Sequence, residues 1–229
     1  MTESVQYGFY FDSSKCSGCK TCHIACKDRM VGLVRSNGGV STGTDAATIA
    51  DLPGMLWRRV YEYGGGNWSD NGNGTFEQDV FAYYTSVGCN HCSEPVCVKA
   101  CPTGAMHKRK TDGLVHVESS LCIGCESCSR ACPYDAPQID TERKVMTKCD
   151  GCYDRLAEGL KPVCVTACPL RALDFDTMDN LSAKYGDGDG HIAPLPLASI
   201  TSPNLIIKTN ANAQPAGAGT GMILNHPEV

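Results

Sequence analysis

The run CSGCKTCHIACK places Cys16, Cys19, Cys22 and Cys26 at gaps of two, two and three residues. Thiols this close together suit metal binding better than the stapling of distant loops. The pattern returns three times. CNHCSEPVCVKACP holds Cys89, Cys92, Cys97 and Cys101, CIGCESCSRACP holds Cys122, Cys125, Cys128 and Cys132, and CDGCYDRLAEGLKPVCVTACP holds Cys149, Cys152, Cys164 and Cys168. All sixteen cysteines fall in these four tetrads, with none left over.

A disulfide framework fits short secreted chains whose cysteines are spread out, not bunched. A thiolate sponge would lack the strand patterns and apolar residues present here. Structural zinc, held tetrahedrally by CxxC pairs, is the serious alternative. Zinc ribbons usually separate their CxxC pairs by a long spacer, whereas the first and third tetrads are compact C-x2-C-x2-C-x3-C runs. That run, with proline after the fourth cysteine, is the bacterial ferredoxin signature for 4Fe-4S clusters. Two-residue gaps wrap three thiolates around one cluster, with the glycines of SG and IG where the backbone must turn tightly. The fourth cysteine lies about one helical turn onward and so serves the other cluster of a pair.

Proline follows Cys101, Cys132 and Cys168, whereas Lys27 follows Cys26. The Lys27 charge either raises the potential of its cluster or is solvated. The longer gaps, CSEPVC and the eleven residues between Cys152 and Cys164, remove no ligand and read as loops that cover a cluster or meet a partner. His23 and His91 lie inside cysteine loops, but each tetrad already has four thiols, so they read as surface or hydrogen-bonding residues rather than Rieske-type ligands.

These ligands need elements to position them. Alternating segments precede the tetrads, YGFYF before Cys16, VFAYY before Cys89 and LVHV before Cys122, and predict short strands. HIACKDR and SRACPYD predict short helical turns. The repeating motif is strand, cysteine loop, helical turn. Twenty residues separate the second and third tetrads, as in one complete two-cluster ferredoxin, which leaves the first and fourth to form another. The expected fold is α+β, two nested bacterial-ferredoxin-like 2×(4Fe-4S) modules with short strands, short helices and long loops. Residues 1–27 and 149–180 form the outer module, 28–84 an insertion of loop and hairpin, 85–148 the inner module and 181–229 an extended C-terminal arm. Within the insertion, Val31 to Gly54 reads as a surface loop, and LWRRVYEY and TFEQDVFAYY flank GGGNWSDNGNG as a long hairpin. The arm could strap onto another subunit.

The chain of 229 residues is 42% hydrophobic but only 7% aromatic, with 24 Gly and 12 Pro. So thin a core calls for other cross-links, which the cysteines can supply. No apolar run reaches the roughly 18 residues of a membrane helix. The N-terminus has neither the basic leader nor the apolar stretch of a Sec signal, so export would need a partner. A net charge of -5 argues against nucleic acid as partner. No GxGxxG, P-loop or HExxH is present, and GAGTG at 217–221 lacks a strand-turn-helix context. Several redox centres without a substrate site describe a non-catalytic electron conduit.

The segments DSSKCSGCKTCHIACKD, EYGGGNW, FAYY, CPTGAMHKR, CPYDAPQ, KCDGCYDRLAEGLKPVC, CPLRALDF and PNLIIK resemble the four-cluster iron-sulfur subunit of dimethyl sulfoxide reductase, the B chain of the molybdopterin oxidoreductase family. The resemblance implies four 4Fe-4S clusters. One takes Cys16, Cys19, Cys22 and Cys168, and its neighbour takes Cys149, Cys152, Cys164 and Cys26. The third takes Cys89, Cys92, Cys97 and Cys132, and the last takes Cys122, Cys125, Cys128 and Cys101. It also implies two partners in anaerobic respiration: a molybdopterin-guanine-dinucleotide catalytic subunit facing the first cluster, and an integral membrane anchor that oxidises quinol near the last. Membrane contact would run only through the anchor, on the periplasmic side by co-export with the catalytic chain, or else on the cytoplasmic side. Similar subunits serve selenate, tetrathionate and polysulfide reductases and formate dehydrogenases. The stretch from Val31 to Gly54 is longer than the family suggests, and related nitrate reductase subunits lack one cysteine of the third tetrad, which is complete here. A zinc-stabilised binding scaffold is the reading from a different class. Lys108, Arg109 and Lys110 are candidates for balancing cluster charge or guiding docking.

Overall fold

The structure, a computed structural model, describes residues 5–36 and 55–229. Its frame begins with the aromatic strand β1 (Tyr7–Asp12), which is buried on both faces, Phe9 and Phe11 in the main core and Tyr10 with Leu181 and Ile206. The next elements are helix α1 (Thr21–Ser36), β2 (Arg59–Gly65), β3 (Trp68–Asp70), β4 (Phe76–Gln78) and β5 (Phe81–Val87). They are followed by α2 (Val96–Lys99), β6 (Met106–Lys108), β7 (Val115–Val117), α3 (Ser127–Ala131), β8 (Gln138–Asp140) and β9 (Val145–Thr147). The C-terminal third holds α4 (Tyr153–Ala157), α5 (Val163–Thr166), β10 (Leu173–Thr177), α6 (Met178–Tyr185), β11 (Leu205–Lys208) and β12 (Met222–Ile223).

Two three-stranded sheets form, ordered β10-β1-β11 and β12-β2-β5, with the two-stranded pairs β3-β4, β6-β7 and β8-β9. In the first, β1 lies antiparallel to β10 and parallel to β11, with Phe9 opposite Phe175 and Leu205. The Phe9 and Phe175 rings meet edge to face at 4.6 Å, the favoured aromatic geometry. In the second, β2 and β5 pair from Arg59↔Val87 to Gly65↔Phe81, and β3-β4 continues the same hairpin. Tyr63 and Tyr83 share the main core with Phe9, Phe11, Phe175, Ile207 and several cysteines, so the sheets close over the thiols.

The three strands read from YGFYF, VFAYY and LVHV form, as does the hairpin around GGGNWSDNGNG. Two expectations change. HIACKDR is not a single turn: α1 runs on to Ser36, so the first residues of the expected surface loop are helical, while 37–54 lie outside the described residues. The C-terminal segment lays its strands on its own chain, with β11 against β1 and β12 against β2, burying Ile206 and Ile207.

Candidate metal centres

Each tetrad opens with a tight turn, and the residue before its second cysteine has positive φ: Gly18 (71°), His91 (43°), Gly124 (67°) and Gly151 (71°). At Gly124 a Cβ would run into the carbonyl oxygen of Lys144, so both the dihedral and the neighbour require glycine. His91 occupies the equivalent place in CNHC. It is fully buried, with Nδ1 accepting a hydrogen bond from the Val115 amide at 3.0 Å. His23 is buried as well, which removes the surface reading for both histidines.

The structure gathers the thiols by crossing tetrads. Cys16, Cys19, Cys22 and Cys168 line one cavity, Cys89, Cys92, Cys97 and Cys132 a second, and Cys101, Cys122, Cys125 and Cys128 a third. Cys26 is raised well above an ordinary thiol, first by burial and then by Cys149, Cys164 and Cys152 beside it. Cys26, Cys149, Cys152 and Cys164 are all buried, whereas Cys19 and Cys125 are exposed.

Burial pushes Cys16 up to about 11 and Cys97 up to about 12, against the ionised state that metal ligation requires. A cationic metal core in each cavity would reverse this, because it favours thiolate. Donors are in place for the sulfurs. The amides of Met106, Met146 and Ala172 each donate at 3.3 Å to Cys101, Cys122 and Cys168, and that of Gly151 at 3.4 Å to Cys149. The Thr21 hydroxyl donates to Cys19 at 3.3 Å and, with its amide, holds this exposed thiol below its ordinary value. Cys125 Sγ is hydrogen-bonded to Ser127 Oγ at 3.4 Å, and the Ser127 side chain and amide hold that exposed thiol below its ordinary value as well. Bonds of this kind stabilise charge on sulfur and tune cluster potential.

Among the described residues, no three Cys, His, Asp or Glu side chains converge closely enough to hold a single metal ion. Four thiolates on one zinc would sit at Zn–S distances of about 2.3 Å around a common point. The thiols instead border cavities, which suits a multinuclear core with all-sulfur ligation.

Basic residues also enter this layer. Lys108 Nζ donates to the carbonyls of Cys92 at 2.9 Å and Gly113 at 2.7 Å, which fixes a positive charge beside the second cavity. Arg109 pairs with Asp112 at 3.0 Å. Arg58 and Lys148, both buried, were not singled out from the sequence, where WRR and MTKC carry no sign that these cations face inward.

All-thiol sites on a small α+β frame define a ferredoxin-like iron-sulfur protein of the electron-transfer class. A 4Fe-4S dicluster domain family matches residues 80–178, and a 4Fe-4S binding domain family matches residues 13–32. The sequence is 52% identical over 227 residues to the B chain of anaerobic dimethyl sulfoxide reductase from Escherichia coli strain K12, covering 99% of this protein and 100% of that one. It is 51% identical to the B chain of the same reductase from Haemophilus influenzae, covering 98% and 99% respectively. The B subunit of sulfite dehydrogenase from Allochromatium vinosum is 35% identical over 75% of this protein and 68% of its own length. This chain therefore belongs to the family of anaerobic dimethyl sulfoxide reductase B chains. It is an electron-transfer subunit that binds 4Fe-4S clusters.

Proposed function

We propose that this chain conducts electrons from a quinol-oxidising membrane anchor to a molybdopterin-guanine-dinucleotide catalytic subunit, which reduces dimethyl sulfoxide or a related acceptor. Each bound 4Fe-4S cluster takes up and releases one electron at a time with little rearrangement. The chain's own residues hold, order and insulate four such sites. The ligand sets are Cys16, Cys19, Cys22 and Cys168; Cys26, Cys149, Cys152 and Cys164; Cys89, Cys92, Cys97 and Cys132; and Cys101, Cys122, Cys125 and Cys128. The three cysteine-lined cavities and the burial of Cys26 beside Cys149, Cys152 and Cys164 support this division. It amounts to an outer module of 1–27 with 149–180 around an inner module of 85–148.

The observation that carries the reading is a line of sites with exposed ends. Cys164 is near enough to Cys22 to raise its thiol further, and Cys89 does the same to Cys149, which links the first set to the second and the second to the third. Cys97 and Cys128 share an apolar cluster with Met106, Val115 and Met146, which links the third to the fourth. Only the first and last sets contain an exposed cysteine, Cys19 and Cys125. Exposed Leu170 beside the first set and Ile123 beside the last give each end an apolar contact. A conduit must be open where it docks and closed between.

Among the described residues no helix is long and apolar enough to cross a membrane. On this reading the chain is peripheral at the cytoplasmic membrane, touches it through the anchor, and reaches the periplasmic face by co-export with the catalytic subunit. The intact complex is expected to hold sixteen irons in this chain, one full cluster per four of its sixteen cysteines. Cys125→Ser is expected to cut quinol-driven turnover by about tenfold or more while turnover driven by a small reduced dye persists. A rise of about 59 mV in a one-electron centre is enough for a tenfold shift. Equal loss of both activities in an intact complex would place Cys125 away from the quinol end.

A further inference from the structure

Arg58 is 4% exposed and Lys148 is also 4% exposed, and neither joins any ion pair among the described residues. An unpaired charge buried this deeply costs several kcal/mol unless something anionic lies close by. The guanidinium of Arg58 donates to Ser86 Oγ at 3.1 Å, and that oxygen lies 3.5 Å from Cys22 Sγ. It stacks over the Phe9 ring at 4.6 Å, and a Cβ on Gly88 would come within 3.3 Å of its Nη2. Such packing leaves the charge little freedom to move toward water. The adjoining Trp57 packs with Cys26 and Cys149, and the sulfurs that act most on the Arg58 charge are those of Cys164, Cys22, Cys149 and Cys26. Those four belong to two different sets, the first and the second.

Lys148 repeats the arrangement one step along. Its Nζ donates to the carbonyls of Val115 and Cys149, it lines the cavity of Cys89, Cys92, Cys97 and Cys132, and its charge acts on both Cys97 and Cys149. The gap between the third and fourth sets instead holds Met106, Val115 and Met146.

We infer that Arg58 and Lys148 are fixed intersite cations, each shared by two consecutive clusters, whose charge raises the reduction potential of both neighbours. This rests on the ligand sets proposed above. A 4Fe-4S core held by four thiolates is a net anion, and each added electron makes it more so. Two anions a short step apart in a low-dielectric interior repel, so reducing one opposes reducing the other. A cation between them lowers that repulsion and is itself compensated. The two sites hold each other in place: the clusters supply the countercharge that Arg58 and Lys148 lack, and the cations keep neighbouring potentials within reach of one another. The second set is flanked by both.

The test is redox titration of the four paramagnetic signals in the intact complex, assigned with Cys19→Ser, Cys149→Ser, Cys97→Ser and Cys125→Ser. Arg58→Gln is expected to shift the first and second sites toward the oxidised form by about tenfold each, which is about 59 mV downward for a one-electron couple. Lys148→Met is expected to shift the second and third. The second site is therefore moved by both variants and the fourth by neither. Arg58→Lys, which keeps the charge, is expected to stay near the parent. Unchanged potentials, a uniform shift of all four, or shifts at other sites would overturn the inference. If Arg58→Gln assembles without full iron, Arg58→Lys decides: full iron with parental potentials supports a role for charge, and iron loss in both variants overturns it. Failure of the ligand sets would look different, as a parent complex with fewer than four signals or a cysteine variant that abolishes two.

Discussion

Gly124 shows how little freedom the backbone has at a cysteine loop. Its φ of 67° lies where an L side chain costs roughly 1–2 kcal/mol, and a Cβ there would also collide with the Lys144 carbonyl just before β9. Gly104 has nearly the same dihedral, 72°, but nothing stands within 4 Å of where its Cβ would be. Gly104→Ala should therefore lose only about 1 kcal/mol of stability and keep its iron. Gly124→Ala should lose iron from the site of Cys122 and Cys125, because the loop must open to relieve the collision. Iron analysis and thermal unfolding of the two variants separate dihedral strain from collision. The glycines of CSGC and CIGC announced their turns in the sequence, and Gly151 of CDGC repeats them in the structure. His91 did not, since histidine has no reason to sit at a φ of 43° unless its ring is held, as the Val115 amide holds it here.

At the scale of elements, the strands nearest the cysteines were legible because YGFYF, VFAYY and LVHV alternate, and the hairpin because GGGNWSDNGNG can only turn. What could not be read was pairing across long stretches of chain. Nothing in PNLIIK says that β11 lies parallel to β1, and nothing in GMILNHPEV says that β12 closes the edge of β2. The helical extension of α1 to Ser36 was hidden because VGLVRS carries a glycine and runs straight into the polar, pattern-poor stretch that follows. Asn225 secures the second of these pairings. Its Oδ1 accepts from the Glu62 amide at 2.9 Å, and its Nδ2 donates to the Val60 carbonyl at 2.9 Å, while Lys20 in the first cysteine loop pairs with Glu228 just beyond. Removing a side chain that satisfies buried backbone groups costs about 1–3 kcal/mol. Asn225→Ala is expected to lower thermal stability by that amount and to expose the C-terminal segment to limited proteolysis, with iron content unchanged. A tail that stayed as resistant as the parent would mean that β12 holds without it.

For the molecule as a whole, the first cysteine loop matters because its four thiols face two different places. Cys16, Cys19 and Cys22 border the cavity that Cys168 also lines, whereas Cys26, about one turn further along α1, lies with Cys149, Cys152 and Cys164. The protein frame brings these distant segments together on its own account. Strand β1 pairs with β10, α1 packs on α5, and Arg29 of α1 makes a two-pronged bond to Asp150 at 3.1 and 3.0 Å, inside the fourth tetrad. Metal ligation across the same junction would close a loop of more than a hundred residues, so cluster insertion would act as a long-range staple during folding. The proposed reciprocal exchange, Cys26 outward and Cys168 back, would make the two outer sites depend on each other. Replacing Cys26 with Ser is expected to perturb the paramagnetic signal that Cys149→Ser also perturbs, and to leave the signal lost in Cys19→Ser at full intensity. The reverse pattern, with Cys26→Ser changing only the Cys19 signal, would mean that each tetrad closes on its own cluster and that the staple does not exist. Because Cys26 and Cys22 lie on the same helix, simple distortion of α1 would disturb both signals together, so only the selective outcome supports the crossing.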